Sequence, residues 1–93
     1  MEKINIKEID KKKFRAISDF RVVALLLYFN VECKYILEPE YNKKKKLFLF
    51  DLDENTQNNI NEILKKYVNG NLQIEPRKLF GLLDRIKDII NSY

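Results

Sequence analysis

Asp51 and Asp53 stand two residues apart at the end of the apolar run Leu47-Phe48-Leu49-Phe50. A carboxylate at the end of a buried strand can attack phosphorus, and a second one two residues on can protonate a leaving group. The stretch KKKKLFLFDLDENTQ, residues 43–57, therefore raises phosphoryl transfer as the first chemistry to weigh. The same residues also read as a strand handing over to a helix. Asp51, Asp53 and Glu54 then put negative charge at the helix N-terminus, where the macrodipole favours it. Asp53, Asn55 or Thr56 supplies the cap.

The Asp-x-Asp spacing resembles the nucleophile motif of the haloacid-dehalogenase-like phosphatases, but the resemblance stops there. Asn55 occupies the place of the usual Thr, and Thr56 comes one residue late. Glu54 replaces the usual Gly, and its carboxylate would repel an incoming phosphate. That chemistry also needs further strands bearing a Ser or Thr, a Lys and an acidic pair, and too little chain follows Asp53 to supply them. A lone Asp-x-Asp is a weak motif, so the structural reading is expected and no catalytic residue is assigned.

Other reactive groups lack partners. Cys33 falls on the apolar side of an alternating stretch, and without any His in the chain nothing is at hand to activate it. Ser18 and Ser92 have no base nearby in sequence, and Glu38 and Glu40 share a turn without signs of a pocket. With no His and one Cys the common metal spacings cannot be built. No metal and no cofactor is expected.

The remaining chemistry is charge. Lys43, Lys44, Lys45 and Lys46 form a run at the tip of a predicted hairpin, and Lys11, Lys12, Lys13 and Arg15 approach the same sheet. Tyr41, with Tyr35, is placed to stack on bases. These residues are the candidate contacts for a polyanion or a partner. The plainer reading is a solvated turn that guards a sheet edge. Lys65, Lys66, Arg77 and Lys78 make a second basic area, diluted by Glu62 and Glu75. The 18 Lys and Arg against 14 Asp and Glu leave a mild net charge of +4. Lysines dominate it, and lysine follows a phosphate backbone better than it reads bases.

These side chains need elements to hold them. Residues 12–18 read as a short strand, Phe14 and Ala16 on one side and Ile17 on the other, with Ser18 or Asp19 capping a helix that runs to Phe29 and is apolar on most sides, hence buried. Asn30 suits the left-handed residue that ends it. Residues 31–38 alternate as a strand, Val31, Cys33, Tyr35 and Leu37 on one face. After the turn at Pro39, residues 47–50 are apolar on both faces and should form a central strand. Ile60, Ile63, Leu64, Tyr67 and Val68 mark a second amphipathic helix, stopped by Asn69-Gly70. Residues 71–75 read as an optional short strand. Pro76 opens the last helix, whose inner face is Leu79, Phe80, Leu83, Ile86, Ile90 and Tyr93. The expectation is an α+β fold, a small mainly antiparallel sheet of three to four strands packed with three helices, in the order β-α-β-β-α-(β)-α. Residues 1–13 read as a charged extension, with an edge strand or a short helical turn through Ile4, Ile6 and Ile9 as the alternative, and 14–93 as one domain. One cysteine and no secretory leader point to a cytoplasmic setting. The longest apolar run, Val22 to Phe29, is far too short to span a bilayer, so no membrane association is expected.

In order and spacing the residues from about 14 to 91 resemble a small domain-of-unknown-function family of phages, plasmids and their bacterial hosts. The resemblance rests on Asp19 opening an apolar helix with Ala24 and Leu26 inside it and Asn30 at its end. It continues through Phe48-Leu49-Phe50 before an acidic helix start, Tyr67-Val68-Asn69-Gly70, Pro76, Leu83 and Ile86-Lys87. It carries over no catalytic residues. It implies a compact α/β domain in a mobile-element setting, where small proteins often bind host or phage machinery, including as inhibitors of defence systems. The functional expectation is a non-catalytic protein acting through a protein partner, such as a host-defence or nucleic-acid-handling complex. The alternative is a sequence-independent nucleic-acid-binding module that uses the lysine-rich hairpin.

Overall fold

Val23, Ala24, Leu25 and Leu26 are all buried. Successive helical residues are turned by about 100°, so these four point to nearly every side of their helix. They belong to α1 (Phe20–Tyr28) of the computed structural model, which describes residues 2–4, 13–38 and 46–92. An all-round apolar helix must be an interior one. α1 packs most extensively on α3 (Pro76–Ser92) and also meets β2 (Phe14–Ile17) and α2 (Glu54–Val68).

The sheet has the order β1-β3-β4-β2, with β1 at Glu2–Ile4, β3 at Tyr35–Leu37 and β4 at Leu47–Asp51. β4 is central, antiparallel to both β3 and β2, and β1 adds to the edge parallel to β3. Ile36 and Ile17 flank Phe48 across the three antiparallel strands. This row joins Phe50, Ile60, Ile63 and Ile86 in the core under the helices. Leu49 and Leu37 are buried on the opposite face, where the rings of Phe14 and Tyr35 meet edge-on at 5.4 Å. The fold is a small, mainly antiparallel α+β domain, as the apolar pattern of residues 47–50 requires.

Helix ends follow their local chemistry. Asp19 Oδ1 accepts the Arg21 N–H at 2.9 Å and caps α1. At its far end Asn30 takes φ 63°, and the N–H groups of Val31 and Asn30 reach back to the carbonyls of Leu26 (2.9 Å) and Leu27 (3.0 Å). These two bonds around a left-handed residue form a Schellman motif. α2 ends the same way: Gly70 has φ 73°, and the N–H groups of Asn71 and Gly70 bond the carbonyls of Lys66 (2.8 Å) and Tyr67 (3.2 Å). Glu75 caps α3, its carboxylate accepting from the Arg77 and Lys78 N–H groups at 3.2 and 2.7 Å.

Four expectations need correction. Strand β3 is shorter than residues 31–38, because the Val31 N–H is committed to ending α1. Residues 71–75 carry no strand: Asn71 serves the end of α2 and the Glu75 N–H donates to the Tyr28 hydroxyl at 2.8 Å. The last turn of α2 overhangs the core, leaving Tyr67 49% and Val68 81% exposed. Phe80 does not face inward either; it is 60% exposed. Its exposure follows from how α1 crosses α3. Lys78 lies over the Tyr28 ring (4.6 Å) at one end of the contact, and Lys87 near the Phe20 ring (5.9 Å) at the other. The helices are thus antiparallel. Positions 78 and 87 are about 180° apart around a helix, so α1 passes from one flank of α3 to the other and covers neither completely. At the N-terminal end it leans away from Phe80. Glu2–Ile4 brings the sheet back into the stretch read as an extension. Tyr93, Ile6 and Ile9 lie outside the described residues.

Candidate binding surface

The opening pair of aspartates is engaged in structural roles. Asp53 caps α2, its Oδ2 accepting the Thr56 N–H at 3.0 Å. Donation from Thr56, by its side chain first and its N–H second, holds the Asp53 carboxyl below its usual range. Asp51 Oδ2 lies 3.7 Å from Lys34 Nζ, and its backbone carbonyl accepts from the Gln57 side chain, which clamps β4 to the first turn of α2. Lys34 also bonds Glu32 at 3.1 Å, and that carboxylate, ahead of Asp51, raises the ammonium pKa. Cys33 is buried, its Sγ donating to the Tyr35 carbonyl at 3.4 Å. Burial pushes the thiol up to about 11.

The basic candidates separate. Lys11, Lys12, Tyr41, Lys43, Lys44 and Lys45 lie outside the described residues. Lys13 is exposed, and its carbonyl accepts from the Leu52 N–H at 3.3 Å. Arg15 is tied inward: its Nη1 donates to Gln57 at 3.1 Å and Asn61 at 3.2 Å, stapling β2 to α2. Lys46 departs furthest from a solvated turn. It is 3% exposed, and its Nζ bonds Glu38 Oε1 at 2.8 Å. Leu37 pairs with Leu47, so Glu38 and Lys46 form the next cross-strand position and close the base of the hairpin. A lysine at this depth is retained only because a carboxylate meets it. In the second basic area Lys66 pairs with Glu62 at 3.3 Å and Lys78 covers Tyr28.

A groove of about 540 Å³ opens where α1 and α2 end. Val31, Ile63 and Leu72 give it an apolar floor, and Phe29, 37% exposed, lies along it. Asn59, Asn71 and Gln73 bring amide side chains that make no hydrogen bond among the described residues. Each amide carries both donors and an acceptor, the complement of a peptide backbone. The rim charges Glu62 and Lys66 neutralise each other. At the groove both helices present their C-terminal, partially negative ends; α1 has no basic side chain in its last turn, whereas α2 carries Lys65 and Lys66 in its own. Sequence reasoning missed the groove because its walls come from helix ends and a connector far apart in the chain. Asn30 and Asn69-Gly70 were its only marks.

Compared with known proteins, the chain matches no family model, no curated protein and no solved structure. Among the described residues no helix is long and apolar enough to cross a membrane.

Proposed function

We propose that the protein is a non-catalytic binding protein that acts by holding an extended segment of a protein partner in the groove between the ends of α1 and α2. The observation that carries this reading is the groove's lining: amides that make no side-chain hydrogen bond among the described residues, beside an exposed ring over an apolar floor, with no net side-chain charge. The inward ties of Arg15 and Lys46 support it from the other side, because they withdraw two cations from the polyanion surface. The resemblance to a phage and plasmid family supports a host-defence or nucleic-acid-handling complex as the partner.

Capture from host lysate, with and without nuclease, tests the proposal. Wild-type protein is expected to retain a host protein after nuclease treatment, and Asn59→Arg, an exposed change that fills the groove with charge, to lose it. Capture that disappears with nuclease favours the second reading, direct nucleic-acid binding, which the lysine run and the net charge of +4 support. The triple substitution Lys43, Lys44 and Lys45→Ser is then expected to flatten the log–log salt slope by roughly two to three units.

A further inference from the structure

The diagonal passage of α1 over α3 leaves a second opening, a wedge of about 210 Å³ on the flank opposite Phe80. Ile86, which is buried, forms its floor, and Leu27, Leu82 and Ile89, each partly buried, form its walls. These four side chains carry no donor and no acceptor. Among the described residues the only charged side chain lining the wedge is Arg85, and its guanidinium makes no hydrogen bond or ion pair there. Small-ligand sites are built this way: apolar walls supply the affinity, and a polar group at one side fixes the orientation.

We propose that the wedge binds a medium-chain carboxylate, its hydrocarbon chain among Leu27, Leu82, Ile86 and Ile89 and its carboxylate on Arg85. Volume sets the size of the body. A cavity of about 150 Å³ lined by Leu, Ile and Phe holds benzene. By proportion the wedge has room for roughly eight carbons. A peptide segment fits poorly, because the aliphatic walls offer nothing to the N–H and C=O groups it would bring out of water. A hydrocarbon chain brings none. The head group follows from Arg85, since a guanidinium takes a carboxylate through two parallel N–H···O bonds. It balances one negative charge. Asp84 and Asp88 neighbour it on α3 without lining the wedge, and Asp88 is engaged in a contact of its own. A monoanion is therefore favoured over a phosphate ester, whose second charge these carboxylates would repel.

Titration of the isotope-labelled full chain with butyrate, hexanoate, octanoate and dodecanoate, followed by amide NMR shifts, is the direct test. Octanoate is expected to move the amides around Leu27 and from Leu82 to Ile89, with a dissociation constant between about 10 µM and about 1 mM, the range open to so small a ligand. Each methylene from butyrate to octanoate should tighten binding about fourfold, and dodecanoate should gain little more because the wedge is full. Octanol, octylammonium and octyl phosphate should each bind about tenfold more weakly than octanoate. Arg85→Gln, an exposed change that spares the core, should weaken octanoate by about tenfold and leave octanol unaffected. Affinity that ignores chain length, octanoate binding unchanged in Arg85→Gln, octanol or octyl phosphate binding as tightly as octanoate, or shifts centred on Phe29 and Leu72 each overturn the proposal. The wedge shares no residue with the groove between the ends of α1 and α2, so its failure leaves the protein-partner reading standing.

Discussion

Lys46 illustrates how differently one residue type behaves within a few positions. Its ammonium is enclosed and meets Glu38, which is itself largely buried. Removing one member of such a pair strands the other. Lys46→Ala is therefore expected to lower stability by roughly 3–5 kcal/mol in urea unfolding, whereas replacing both residues by apolar ones of similar size should recover much of the loss. An alanine variant as stable as wild type would show the pair to be worth nothing. Cys33 allows a second test at this scale. With its thiol raised to about 11 by burial, native protein at neutral pH should resist iodoacetamide and react only when unfolded. The unfolded thiol ionises near pH 8.5. The stabilisation from burying the neutral form is thus complete below that pH and declines as pH rises toward the folded value. Rapid labelling of folded protein contradicts the burial. Sequence pattern placed the cap of α2 within Asp53, Asn55 or Thr56, because capping is local, and the structure selects Asp53. The pattern missed the Lys46 pair, because the partner reaches it only once the hairpin has closed.

Elements were more legible than their faces. A 3.6-residue repeat located the second and third helices, and continuous apolar runs located the first helix and the central strand, since such patterns survive without knowledge of the neighbours. It misplaced Phe80, Tyr67 and Val68, because how far a neighbouring element extends, and at what angle it crosses, is a property of the pair. The groove between the ends of α1 and α2 was illegible for the same reason. Phe50 is the firm case: β4 has strands on both sides and helices above, and Phe50 is fully buried. Phe50→Ala should cost about 3–5 kcal/mol by chemical denaturation, a large share of what a domain this small possesses. Unchanged unfolding would remove β4 from the centre of the fold.

At the scale of the whole molecule the signed response to acid can be stated. Asp53 keeps its charge in the folded chain below the pH at which an unfolded aspartate, with a pKa of about 3.9, takes a proton. Its contribution is thus present above that value and is lost as pH falls through the lower, folded pKa. Asp53→Asn should melt with a shallower loss of melting temperature than wild type across the acid limb below about pH 5. Identical slopes would mean the cap charge is not coupled to folding.

The all-round burial of α1 also bears on how the chain is made. A ribosome delivers α1 well before α3, so one side of the most apolar helix has no cover until α3 has emerged. Throughout that interval the nascent chain is a natural client for chaperones. A chain stopped before Pro76 should remain in that condition. It is expected to bind a hydrophobic dye strongly and to precipitate where the full chain stays in solution. A soluble, dye-silent truncation would mean that α1 finds its cover elsewhere.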